Sequence, residues 1–241
     1  MSETTIIGPA GRLEARFSAA TLPEAPLALI LHPHPLYGGT MTNKVVFTLH
    51  RAFRRHGFAT LRINFRGVGT SEGDYQDGEG ETADALAALD WLGARAPDRL
   101  GARAPDRLGA RAPDRPGARA PAASRLWIAG YSFGAWVALR ALMERDTIER
   151  FVAVAPPVTL FDFSFLAHCP APGLILHGSH DALVPETMVA RLAHAHEPGV
   201  SYQRLEGADH SFEHHREELG RRLDAYLAQP AATSSPRPGN R

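Results

Sequence analysis

Apolar residues along this chain fall into short dense runs, separated by longer stretches in which they recur every three or four positions. Leu27–Leu31, Ala59–Ile63, Leu126–Ala129, Phe151–Ala155 and Leu174–Leu176 are the dense runs. Runs of this length suit strands buried on both faces of a parallel sheet. Between them, 43–56, 80–92, 133–144 and 185–196 have the length of helices. In 80–92, Ala83, Leu86, Ala87, Leu89 and Trp91 form an amphipathic face with some slippage. Near the start, Ile6-Ile7 and Leu13–Phe17 flank Gly8-Pro-Ala-Gly11, the pattern of an antiparallel hairpin. Ser201–Leu205 predicts a last strand and 214–228 a last helix. A hairpin followed by repeated strand–helix units predicts an α/β fold, a mostly parallel sheet with helices on both faces.

One segment breaks the pattern. Gly93-Ala-Arg-Ala-Pro-Asp-Arg-Leu100 recurs at 101–108, again at 109–116 with Pro116 last, and begins once more at Gly117. A period of eight is too short for the usual solenoid units, and each copy carries a proline and a glycine. The expectation is a poorly ordered surface insertion over 93–122, produced by duplication. Its seven Arg and three Asp give it a charge of +4, which leaves −4 for the remainder of a neutral chain. A basic loop of this kind invites a nucleic-acid or acidic-lipid reading, but a tolerated loop expansion explains it more simply. Residues 1–228 are then one domain interrupted by the insertion, and the Pro/Ser-rich 229–241 read as a disordered tail.

Composition narrows the function classes. Lys+Arg and Asp+Glu balance at 26 each, so no global charge points to nucleic acid or a membrane surface. A single cysteine, Cys169, allows neither an internal disulfide nor a paired-cysteine metal knuckle. The start of the chain shows no signal-peptide pattern, and no apolar run approaches bilayer-spanning length. A cytoplasmic location is expected; oligomeric state is not addressed by these features.

The strongest chemical signal is Gly130-Tyr-Ser-Phe-Gly134, between the strand-like Leu126–Ala129 and the helix-like Ala135–Met143. A sharp strand-to-helix turn presents a serine hydroxyl above a sheet, and its strained backbone leaves room only for glycine two residues to either side. Ser132 is the candidate nucleophile. It needs a base, and the base needs an orienting carboxylate. Asp181, in His177-Gly-Ser-His-Asp181, follows the strand at Leu174–Leu176, where α/β sheets place their sites. Asp162 and Asp209 are rival acids, Asp209 being too close in sequence to the candidate histidine to orient it comfortably. That histidine is His210, in the strand-to-helix loop Gly207–Phe212. Among 12 histidines it alone combines such a loop with the order Ser, Asp, His along the chain. His194, His196, His214 and His215 fall on helical or helix-start segments. His32-x-His34 could share a metal, but no acid or third histidine at a recognisable spacing completes a site. Neither a phosphate loop nor a dinucleotide glycine fingerprint is present, so no cofactor or metal is expected.

Together these residues resemble the α/β-hydrolase superfamily over nearly the whole chain except the repeat and tail. Leu31-His-Pro-His-Pro-Leu-Tyr-Gly-Gly-Thr-Met41 with Asn43-Lys44 resembles a small cap-less bacterial subgroup of hydrolases, and Asn64-Phe-Arg-Gly-Val-Gly-Thr-Ser-Glu-Gly73 resembles the superfamily's loop after the fourth strand. The resemblance implies an eight-stranded sheet of order 1-2-4-3-5-6-7-8. It also implies an oxyanion hole from the backbone N–H of Phe133 and of the residue after a His-Gly-like pair. Here that pair is His32-Pro33, so the second donor would be His34; many members have glycine in place of Pro33. Pro35 has no N–H to offer.

The expected activity is hydrolysis of a small carboxyl ester or thioester through Ser132, His210 and Asp181, the partner being a small-molecule ester. Lactones and peptides stay open as substrates. Acyl transfer on the same triad, or a silent binding protein on the same fold, are the alternatives. Only 156–173 separate two strands where a cap could enter, so no large cap fits. Phe161, Phe163, Phe165 and Leu166 predict either an apolar flap or a packed short helix.

Overall fold

A computed structural model describes residues 2–22, 24–95 and 125–229. Residues 96–122 of the repeat and 230–241 of the tail lie outside the described residues. The hairpin is β1 (Ser2–Gly8) and β2 (Gly11–Ser18). There follow β3 (Leu27–Leu31), α1 (Lys44–Arg55), β4 (Ala59–Ile63), α2 (Glu79–Gly93), β5 (Leu126–Tyr131) and α3 (Phe133–Glu144). The chain then forms β6 (Ile148–Val154), β7 (Gly173–Gly178), α4 (Glu186–His194), β8 (Val200–Leu205) and α5 (Arg216–Leu227).

These strands form one eight-stranded sheet of order β1-β2-β4-β3-β5-β6-β7-β8, the order that the resemblance implied. β1 and β2 pair antiparallel, β2 joins β4 antiparallel, and every pairing from β4 to β8 is parallel. The dense apolar runs are strands because both faces are covered. β3 and β4 are buried at every position. On one face α1 and α5 pack with Val46, Phe53, Trp127, Val152, Leu176 and Leu223. On the other, α2, α3 and α4 pack with Leu29, Ile63, Leu89, Ile128, Leu139 and Val189. Burial of this kind stabilises by roughly 25 cal/mol per Å² of apolar surface, which makes the two layers the main driving force of the fold.

Two strands extend beyond their apolar runs. β6 begins at Ile148 rather than Phe151, because Glu149 and Arg150 interrupt the hydrophobic pattern. Arg150 is nonetheless buried, its guanidinium lying over the rings of Trp127 and Tyr226. β7 continues through His177 and Gly178. The segment after β6 is a packed short helix rather than a flap: a 3₁₀ turn at Ser164–Leu166 buries Leu166, and the Trp136 indole donates to the Asp162 carbonyl at 2.8 Å. Among the described residues, no large cap covers the carboxyl ends of the strands.

Candidate active site

β5 ends at Tyr131 and α3 starts at Phe133, so Ser132 alone makes the turn. It adopts φ 54°, ψ −122°, a conformation L-residues rarely hold. Such backbone costs on the order of 1–3 kcal/mol and persists only where the surroundings over-determine it. Here they do. A Cβ on Gly130 would lie 2.0 Å from the Gly134 carbonyl oxygen, and one on Gly134 would lie 2.5 Å from that of His32. The Ser132 N–H donates to the Val154 carbonyl at 2.8 Å, tying the turn to β6.

Asp181 and His210 reach the turn from two loops laced to each other. The His180 N–H donates to the Ala208 carbonyl at 2.9 Å, and the Gly207 N–H to the Ser179 hydroxyl at 2.8 Å. Gly178 permits this approach, since a Cβ there would meet the Ala208 oxygen at 2.2 Å. The Tyr131 hydroxyl donates to the His210 carbonyl at 2.9 Å. The result is a continuous line. His210 Nδ1 stands 2.7 Å from Asp181 Oδ2, and His210 Nε2 stands 2.9 Å from Ser132 Oγ. A carboxylate can only accept, so Nδ1 carries the imidazole proton and Nε2 is left to accept from the serine.

Asp181 is held as an anion. Burial pushes its carboxyl up, but the hydrogen bond and charge of His210 and the Val184 N–H outweigh burial and bring it below the usual range. Its other oxygen accepts from the Leu183 and Val184 N–H groups, both at 2.9 Å. The rival acids are elsewhere engaged. Asp162 accepts from the Ser164 N–H and hydroxyl, and Asp209 from the Ser211 hydroxyl and the Glu213 N–H. Neither meets the His210 ring.

The two predicted oxyanion donors line one cavity with Ser132 and His210. Neither the Phe133 nor the His34 N–H has a hydrogen-bond partner among the described residues. His34 is oriented through its neighbour. His32 is wholly buried; its Nδ1 donates to the Pro33 carbonyl at 2.6 Å and its Nε2 accepts from the Phe65 N–H at 3.0 Å. Burial holds this imidazole down at about 4, hence neutral and able to fill both roles. Pinning the Pro33 carbonyl sends the N–H of the same planar trans peptide, that of His34, the opposite way. The His34 ring meets Tyr75, Tyr37, Phe133 and Phe161, and its Nδ1 accepts from the Leu36 N–H at 3.2 Å. His32 and His34 therefore position backbone rather than sharing a metal.

Sequence reasoning missed several supporting polar groups. His177 is buried against Asp181, with Nε2 donating to the Val184 carbonyl at 2.9 Å; this closes the 181–184 loop. Asn64 accepts from the Met41 N–H at 2.8 Å, and Arg62 donates to the Met41 carbonyl at 3.0 Å, which anchors the His34 loop. The buried Arg66–Asp84 pair, 2.7 Å apart, fixes the following loop onto α2. An arginine inside the apolar run at Ala59–Ile63 was the available signal.

The model of the X-Pro dipeptidyl-peptidase (S15) family matches residues 12–226. The chain belongs to that family. This S15-family chain is also 42% identical over 228 residues to an uncharacterised protein of Rickettsia prowazekii, covering 91% of this chain and 86% of that one. Among solved structures it resembles a protein of unknown function from Agrobacterium tumefaciens, with 40% identity, TM-score 0.81 and 94% of each chain covered. An α/β serine hydrolase homologue from Coxiella burnetii shares 33% identity at TM-score 0.79, covering 94% of this chain and 97% of that one. A lidless α/β serine hydrolase from Xanthomonas campestris shares 30% at TM-score 0.75, covering 93% and 92%. The S15-family chain is thus an α/β serine hydrolase by fold and relationship.

Proposed function

We propose that the protein hydrolyses small carboxyl esters or thioesters through an acyl-enzyme on Ser132. The observation that carries this reading is the line Asp181–His210–Ser132 opening into an apolar cavity of about 440 Å³ whose wall, among the described residues, holds no carboxylate. His210 Nε2 takes the Ser132 proton as the hydroxyl attacks the carbonyl carbon. The Phe133 and His34 N–H groups hold the oxyanion. Asp181 keeps the imidazole in the required tautomer and stabilises its protonated form. His210 then hands its proton to the leaving group, and a water repeats the sequence to release the acid.

The cavity argues for esters over X-Pro dipeptides. Release of a dipeptide from a chain terminus calls for an anion to meet the substrate's ammonium group, because a buried charge without a partner is costly. The wall instead offers Pro33, Tyr37, Pro157, Leu160, Phe161 and Leu183. Its small volume favours short acyl groups. The test compares p-nitrophenyl esters of increasing chain length with Gly-Pro and Ala-Pro p-nitroanilides, beside Ser132→Ala. Short esters are expected to be cleaved with kcat/KM at least 100-fold above the anilides, and only with Ser132 present. A preference for the anilides, or for long-chain esters, overturns the assignment.

A further inference from the structure

The cavity around Ser132 has two unlike sides. Pro157, Leu160, Phe161 and Leu183 make one apolar, while Asn43, Tyr131 and His210 bound the other. Past Asn43 and Tyr131 lies a second cavity of about 300 Å³, whose wall includes both residues together with Thr42, Lys44, Ser211 and Arg216. A third, of about 620 Å³, shares Thr42, Lys44 and Arg216 with the second and lies between α1 and α5, where Arg51, Arg55 and Arg221 line it. The first and second cavities thus have Asn43 and Tyr131 in common, and the second and third Thr42, Lys44 and Arg216, which sets the three in series from Ser132 toward α1 and α5.

Five cations line the second and third cavities against three carboxylates, Glu213, Glu217 and Asp224. Asp224 is neutralised by Arg55 at 2.6 Å and met by His56 at 3.1 Å, and Arg221 is engaged with Glu218. Lys44, Arg51 and Arg216 make no ion pair among the described residues, and neither do Glu213 and Glu217, so one positive charge is left in excess. Lys44, Phe47 and Arg51 share one face of α1 over two turns, about 10 Å. The Phe47 ring between the two cations is 42% exposed. Lys44 and Arg216, which line both the second and the third cavity, with Arg51 further along α1, suit an anion with several acceptor oxygens, the description of a phosphate group.

Chemistry fixes which half of the substrate points there. The leaving group must take its proton from His210, so it lies on the His210 side, beside Tyr131, which also lines the second cavity. The acyl group is left to Leu160, Phe161 and Leu183.

We infer that the substrate's leaving group carries a phosphate-bearing tail, which runs past Asn43 and Tyr131 into the α1–α5 groove to Lys44, Arg216 and Arg51. This rests on the hydrolase reading above and specifies its substrate class. The reaction is unchanged: the acyl carbon–oxygen or carbon–sulfur bond breaks, the leaving atom takes the His210 proton, and water supplies hydroxyl to the acyl group and a proton back to Ser132.

Two matched pairs test it. S-butyryl-coenzyme A is compared with neutral S-butyryl-N-acetylcysteamine, and 1-butyrylglycerol 3-phosphate with 1-butyrylglycerol. In at least one pair the phosphate-bearing member is expected to have kcat/KM about tenfold higher or more; the pair concerned identifies a thioester or an ester source. Lys44→Gln with Arg51→Gln should bring that ratio toward one, as should 0.5 M salt. Both residues are solvent-exposed, so the fold is not at stake. Ratios within twofold in both pairs overturn the inference. Were no compound cleaved, the hydrolase reading would fall, and calorimetric titration with coenzyme A and glycerol 3-phosphate decides separately. Binding weakened tenfold by the double substitution sustains the groove's role, and no binding of either removes it.

Discussion

The two ends of β5 obey different rules. At its carboxyl end, backbone packs on backbone so closely that a single methyl group at Gly130 or Gly134 has no room. Three of the four non-glycine residues with positive φ among the described residues, Ser132, Ala155 and Phe212, lie at that end of the sheet. At its amino end, α2 stops at Gly93 and the chain re-enters the sheet at Leu126, with an eight-residue repeat in the connection. Closing a longer loop there costs little, about 0.6 kcal/mol for each doubling of length. Backbone strain is concentrated where the reaction is proposed to occur, while the opposite end carries the repeat. A parallel sheet separates them by the full length of its strands.

Four changes would sharpen or break this contrast. The largest effect belongs to the line of hydrogen bonds: Ser132→Ala, His210→Ala and Asp181→Asn should each lower kcat/KM on a short ester by about 10³-fold or more, with the fold intact by circular dichroism. Retention of near-normal turnover by Asp181→Asn would detach Asp181 from the mechanism. Next comes Gly134→Ala, whose Cβ would meet the His32 oxygen at 2.5 Å. It should cost more than about 3 kcal/mol in urea unfolding or prevent folding, and a neutral result would show the turn to be pliable.

The third effect is on pH. His32 and His50 are both held down at about 4 by burial, against an ordinary 6.5. The unfolded chain therefore takes up protons that the folded protein refuses. Stability should be full above about pH 7, decline as pH falls from 6.5 toward 4, and level off below that as far as these two groups are concerned. Fully buried His32 alone corresponds to roughly 3 kcal/mol. A urea midpoint unchanged between pH 7 and 4.5 would contradict the neutral, hydrogen-bonded His32. The smallest effect is expected from deleting 93–116. Removing three whole periods brings Gly117-Ala-Arg to the end of α2 in place of Gly93-Ala-Arg, so an arginine can again lie over Trp91 as Arg95 does. Activity within about twofold of the parent is expected, and a folded but inactive deletion would place the connection near the site after all.

The sheet was legible because buried parallel strands leave dense apolar runs, and the site because a strand, a Gly-x-Ser-x-Gly turn and a helix succeed one another without a gap. Asp181 and His210 followed from their positions after later strands. What stayed hidden depends on neighbours distant in sequence. Arg150 reads as a strand breaker until Trp127 and Tyr226 cover it. The pattern around His32 gives no hint that its ring accepts the N–H of Phe65, 33 residues on. Lys44 and Arg51 carry no signal of a groove along the sequence, because only the packing of α5 beside α1 makes one.

The central claim is that Ser132 is an activated nucleophile. The most direct measurement is to treat the purified protein with a fluorophosphonate probe and map the adduct by mass spectrometry, beside Ser132→Ala. A single adduct on Ser132, absent from the variant, is the expected result. No adduct in a folded sample, or labelling that survives in the variant, would contradict the account.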